Sequence, residues 1–165
     1  MATQETHDMV LTRTFYAPVE EVWRAWTEPE LVRRWWGPTG FTAPLAEMDV
    51  REGGTSLVCM RAPAEFGGQD MYNTWTFATV IPMERLEFVQ TFSDADRNPV
   101  EPAALGLPPG VPRDVPHVVT FTAIREGNTE LTVRESGYAS AEVAGFSRSG
   151  MEQCLDKLAA IFADR

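Results

Sequence analysis

Histidine and cysteine are scarce in this chain of 165 residues: only His7, His117, Cys59 and Cys154 are present. Two cysteines make no disulfide framework, and no His-Glu-x-x-His or Cys-x-x-Cys spacing exists, which argues against a zinc site. The glycine pairs fall in strand turns rather than ahead of helices, so no phosphate cradle is expected. A Gly-x-Ser-x-Gly nucleophile elbow is also missing. The reading is therefore no metal and no cofactor.

Positive charge is short as well, with 14 Lys and Arg against 24 Asp and Glu, a formal charge of −10. That balance argues against nucleic acid and against an anionic membrane surface, both of which demand a cationic face. No apolar run is long enough to cross a bilayer, and "MATQETHDMV" carries no apolar signal region, so no membrane insertion and a cytoplasmic location are expected. Length and an apolar content of 44% suit one domain over residues 1–165 with a substantial core.

What is present has a clear order. "MVLTRTFYA" is rich in β-branched and aromatic residues and reads as a first strand. Pro18 followed by Glu20 and Glu21 favours a helix start, with Val19, Val22, Trp23 and Trp26 as its apolar stripe. Thr27 and Glu30 have capping-box spacing for a second helix, expected to run to Trp36 and to stop at Gly37-Pro38. That helix carries two adjacent indoles, Trp35 and Trp36, about 100° apart, so one flat contact cannot bury both. Strand periodicity then takes over through "TSLVCMRAP", "MYNTWTFATVI", "RLEFVQTF", "HVVTFTAI" and "TELTVRES". Gly53-Gly54 and "REGN" mark tight turns. Between residues 93 and 116 lie six prolines, read as a loop: either a flap beside a cavity mouth or a disordered insertion.

The last segment, residues 139–163, has helical spacing. Its N-terminal half offers Ala144, Ser147 and Gly150 to the inner face, while its C-terminal half offers Leu155, Leu158 and Phe162. A curved sheet closing on that helix fills one end and leaves an apolar hollow at the other. The expected fold is α+β: an antiparallel sheet of about six to seven strands wrapped round a long C-terminal helix, with two short helices after the first strand.

Aromatic and thioether residues supply the expected wall of the hollow: Trp35, Trp36, Phe41, Met60, Trp75, Phe77, Phe88 and Met151. Polar groups able to face it are Asn73, Ser147, His117 and Glu135. His117 opens a strand beside the long loop, where it either acts as acid or base or rests at an edge in water. Glu135 alternates with Leu131 and Val133; it is either an inward carboxylate needing a partner, with Arg61 and Arg134 on hand, or an edge carboxylate in solvent. Tyr72 and Tyr138 offer hydroxyls. Asp49 and Arg51 read as a surface ion pair.

"FYAPVEEVWRAWTEPELVRRWWGPTGF", "MDVREGG", "IPMERLEF" and the terminal "SGMEQCLDKLAAIF" together resemble bacterial relatives of the activator of heat-shock-protein-90 ATPase, within the SRPBCC or START-like superfamily. The resemblance implies the helix-grip fold shared with the birch-pollen allergen. Three departures stand out: Met151 where the family usually has Trp, Pro82-Met83 where paired prolines are frequent, and a longer loop over residues 93–116. A smaller, pliable Met151 implies an altered pocket.

The superfamily hosts lipid carriers, cyclases, co-chaperones and resistance proteins, so function stays open at this level. The first reading is a binding module taking a small apolar or aromatic ligand for sequestration, transport or sensing, without catalysis. The second is a cyclase, hydrolase or isomerase using His117, Glu135 or a tyrosine. The third, a stress-response co-chaperone contacting a heat-shock ATPase, rests on the resemblance alone. A homodimer is left open.

Overall fold

The structure, a computed structural model, describes residues 5–163. β1 (His7–Phe15) leads into α1 (Val19–Thr27) and α2 (Pro29–Trp35), followed by β2 (Thr42–Glu47), β3 (Thr55–Arg61), β4 (Asp70–Ile81), β5 (Arg85–Ser93), β6 (Asp114–Ile124), β7 (Asn128–Tyr138) and α3 (Ala141–Ala163). All seven strands form one sheet in the order β1-β7-β6-β5-β4-β3-β2, every pair antiparallel. Hairpins join each consecutive pair from β2 to β7, and β1 closes against the last strand. The expected α+β helix-grip architecture is therefore the one found.

The short helices differ from expectation at both ends of α2. Thr27 does not cap it: its hydroxyl donates back to the Trp23 carbonyl at 2.9 Å, within α1. Glu28 is the N-cap residue without a side-chain cap, and Pro29 opens the helix. Proline's preset φ and absent N–H place the start there whatever the Thr27–Glu30 spacing offers. At the other end Trp36 has already left the helix, with φ −68° and ψ 131°.

That exit resolves the paired indoles. Trp35 stays on the helix, fully buried, its Nε1 donating to the Ala25 carbonyl at 2.8 Å and its ring 4.6 Å from Trp26. The Trp36 ring reaches Trp75 on the sheet, 5.2 Å away, and meets the Trp35 ring edge-on at 5.9 Å. Extended backbone at Trp36 lets the second indole pack on Trp75 of the sheet while Trp35 stays against Trp26.

α3 lies across the concave face. Arg13 of β1 pairs with Asp156 at 2.5 Å, and Arg148 reaches the Val10 carbonyl. Lys157 donates to the carbonyls of Gly37 and Phe41 at 2.9 and 3.1 Å, and Gln153 accepts from the Thr39 amide at 3.0 Å. The turn after Trp36 is thus held on α3. Asp49 and Arg51 pair at 2.8 Å, as read from the sequence.

The proline-rich loop is shorter than residues 93–116: Ser93 ends β5, Asp114 opens β6 with Pro116 opposite Val89, and the stretch between them folds back. Pro102–Leu105 forms a short 3-10 turn, and the Gly110 carbonyl accepts from the Ala139 amide at 3.1 Å. A Cβ on Gly110, whose φ is +98°, would lie 3.0 Å from the Ala139 Cβ, so only glycine lets the loop approach α3 this closely.

Candidate functional site

Beneath the N-terminal half of α3 lies a cavity of about 480 Å³. Every α3 residue on its wall falls between Phe146 and Cys154, and none comes from the Leu155–Ala163 half. The C-terminal half is occupied instead by Leu155 and Leu158, both fully buried. Opposite α3 the wall is built from the inner faces of β3, β4 and β5: Met60, Met71, Asn73, Gln90 and Phe92. Leu107 and Val111 of the proline-rich loop form one side, with Trp36, Pro38 and Phe41 on the other. Phe66 and Phe146 also line it while remaining largely exposed, so they mark the mouth.

At one wall stands a buried polar network. His117 and Glu135 are directly opposed across the β6–β7 pair, each about 3% exposed. His117 Nε2 lies 3.1 Å from Glu135 Oε2, and His117 Nδ1 lies 2.9 Å from the Val115 carbonyl oxygen. A carbonyl only accepts, so Nδ1 carries a proton. One further proton lies between Nε2 and Oε2, whichever side holds it, and the pair is neutral as a unit. The other carboxylate oxygen accepts from Ser147 Oγ at 2.5 Å and from the Tyr138 hydroxyl, which is 2.8 Å from Ser147 Oγ. Phe88 stacks on the imidazole at 4.8 Å and on Trp75 at 4.9 Å, closing the ring from behind.

Burial alone would lift the Glu135 pKa, but the His117 charge and hydrogen bond, with the two hydroxyls, more than offset it and hold the carboxyl below its ordinary value. Burial pushes Tyr138 upward, and the neighbouring carboxylate adds to that. Both thiols are raised to about 11, chiefly by burial, which leaves them unreactive near neutrality. Arg61 and Arg134 are not the partners of Glu135. They pair with Asp70 at 2.7 Å and Asp8 at 2.8 Å, because alternation turns Arg134 out beside inward Glu135 on β7 and Arg61 out beside inward Met60 on β3.

Of the twelve residues singled out from the sequence, Trp36, Phe41, Met60, Asn73, Glu135, Ser147 and Met151 line the cavity. Trp35, Trp75, Phe77, Phe88 and His117 are not on its wall. Trp35 belongs to the packing between α1 and α2, and Trp75, Phe88 and His117 form the stacked layer behind. Gln90, Phe92 and the loop residues Leu107 and Val111 were not picked out as lining. The register could have supplied the first two, since Trp75 faces Gln90 and Asn73 faces Phe92.

A second hollow, about 680 Å³, lies outside between α2 and β2. Its basic groups are partly committed: Lys157 and Arg33 donate to backbone carbonyls. Among the described residues no cluster of three or more His, Cys, Asp or Glu has the arrangement to hold a metal ion, and no helix is long and apolar enough to cross a membrane.

A curved antiparallel sheet gripping one long helix, with a cavity under half of it, defines the class of helix-grip cavity folds. Within that class the chain belongs to the family described as activator of Hsp90 ATPase homolog 1-like protein, which matches residues 16–163. No curated protein matches. Among solved structures, a Chromobacterium violaceum protein is 28% identical, covering 93% of this chain and 95% of its own, with a TM-score of 0.74. A Mycobacterium smegmatis protein is 26% identical over 93% and 89%, with a TM-score of 0.73. The AHSA1 protein of Silicibacter pomeroyi, 21% identical over 95% and 98% with a TM-score of 0.71, shares the fold.

Proposed function

We propose that the chain binds a small hydrophobic or aromatic molecule in the cavity under α3 and holds it without chemical change. The observation that carries this reading is the unequal filling of α3: apolar packing from Leu155 onward, and about 480 Å³ of mostly apolar space before it. Ligand sites of roughly 300–1,000 Å³ are typical for small molecules. The commitment of the acid–base groups favours binding over turnover. Both ring nitrogens of His117 and both oxygens of Glu135 already have partners inside the protein. A general base needs a lone pair facing its substrate.

The test is titration with neutral N-phenyl-1-naphthylamine, followed by probe emission and by quenching of tryptophan, since Trp36 lines the cavity. Saturable binding is expected, and Met151→Trp, which puts an indole into the open end, should abolish it while the fold persists by circular dichroism. Unsaturable probe uptake, or binding unchanged in the Trp variant, would reject the cavity as the site.

A second reading is favoured by one fact: Glu135 and Tyr138 both reach the cavity wall and are hydrogen-bonded to each other. An isomerase or hydrolase would use that pair as its acid–base element. Recovery of a cavity ligand in altered form, with Glu135→Gln blocking the change, would establish it.

A further inference from the structure

The cavity wall carries a buried side-chain amide with no partner. Asn73 lies on the inner face of β4 between Met71 and Trp75, is 1% exposed, and lines the cavity. Neither its Nδ2 nor its Oδ1 has a hydrogen-bond partner. Its strand neighbours at that level are Val58 on β3 and Phe92 on β5, which offer no side-chain polar atom. An amide buried without partners is costly, so a leucine would serve this position better if packing were its only task.

We infer that Asn73 is the specificity element of the cavity and that its ligand is a neutral aromatic molecule bearing a cis-amide edge, as in a lactam, cyclic imide or primary carboxamide. The inference deepens the cavity-binding reading and rests on it. A side-chain amide presents one donor and one acceptor side by side. The group that satisfies both at once carries N–H and C=O in the same arrangement. A ketone or ether would leave Nδ2 paired and Oδ1 alone. A second unpaired donor on the wall, Trp36 Nε1, can take a further carbonyl oxygen of the ligand.

Charge narrows the class. Among the described residues no Lys or Arg lines the cavity, and the His117–Glu135 pair is neutral as a unit, so a carboxylate ligand would be buried without a countercharge. A cation has no call on the site either, because both Glu135 oxygens already accept hydrogen bonds and His117 shares its proton. Neutral remains. The ring planes of Trp36, Phe41 and Phe92, all on the wall, suit a flat aromatic body.

Four probes of nearly equal size test this: naphthalene, quinolin-2(1H)-one, 1-methylquinolin-2-one and 2-naphthoate, titrated by calorimetry into wild type and Asn73→Leu. In wild type the quinolinone should bind at least about tenfold tighter than its N-methyl derivative, which keeps the carbonyl and loses the N–H. Naphthoate should be the weakest. In Asn73→Leu that preference should vanish while naphthalene binds within about twofold of wild type. The wild-type ratio stands as a test even without the variant. If naphthalene binds but the two quinolinones bind equally, or the preference survives in Asn73→Leu, the assignment of Asn73 is overturned and the cavity reading stands. Binding of no probe overturns both.

Discussion

The two halves of α3 solve the same packing problem differently. From Leu155 on, the helix meets β1 and its neighbours with side chains large enough to leave no space: Leu155 and Leu158 are fully buried, and the Phe162 ring lies 5.9 Å from that of Phe15. Between Phe146 and Cys154 the inner positions are Ser147 and Met151, and a cavity replaces packing. Large apolar side chains therefore close the sheet on the helix at its C-terminal end. The contacts that keep the other end in place are polar and specific: Ser147 on Glu135, and Arg148 on the Val10 carbonyl. A filled end supplies stability, and an open end can hold a guest because it is not asked to.

The sharpest way to break this contrast is to truncate both ends of the same helix. Leu158→Ala should cost about 3–4 kcal/mol in urea unfolding, the cost of removing a buried leucine from a closed core. Met151→Ala should cost only about 1 kcal/mol, since one side of Met151 already faces open space and has fewer contacts to lose. Equal losses would mean that the cavity closes up in solution and that the two halves are alike.

The next largest effect concerns the joint between them. Glu135→Gln removes the charge that His117, Ser147 and Tyr138 surround, and should cost about 3 kcal/mol at pH 7. The sign with pH follows from the depressed carboxyl pKa. The unfolded chain takes up this proton near the ordinary value of 4.5, and the native state only at lower pH. The contribution is therefore fully present above about pH 4.5 and is lost as pH falls through the native value. The gap between wild type and Glu135→Gln should shrink steadily from pH 5 downward. A gap that stays constant into acid would show that Glu135 acts through shape alone.

This joint also shows where sequence reading reached and where it stopped. Strand and helix content followed from periodicity, and the half-filled helix followed from side-chain size along one face. Residue type makes both His117 and Glu135 candidates, and points to arginine rather than histidine as the partner of the carboxylate. Their meeting was present in the hairpin: a turn at residues 125–127 between two strands pairs Ile124 with Asn128, and the same register pairs His117 with Glu135. Stepping the register back along both strands would have found a buried pair. Trp36 was harder. Its role depends on leaving the helix one residue before Gly37, and helix ends are set by local geometry that composition does not resolve. The loop residues Leu107 and Val111 were not legible at all, because their placement depends on where a proline-rich segment folds back in space.

That fold-back offers the smallest and most discriminating test of the open end. Gly106 and Gly110 both have positive φ, +77° and +98°, so alanine is strained at either. Nothing lies within 4 Å of a Cβ on Gly106, whereas one on Gly110 meets Ala139 Cβ at 3.0 Å and Val143 Cγ2 at 3.2 Å. Gly106→Ala should therefore report backbone strain alone, about 1 kcal/mol, and Gly110→Ala that strain plus displacement of the loop from α3, about 2 kcal/mol in total. Because Leu107 and Val111 form one cavity wall on either side of this contact, Gly110→Ala should also weaken naphthylamine binding, while Gly106→Ala weakens it less. If the two variants melt alike and bind alike, the loop's seat on α3 contributes nothing to the site. The open end would then be shaped by the sheet and helix alone.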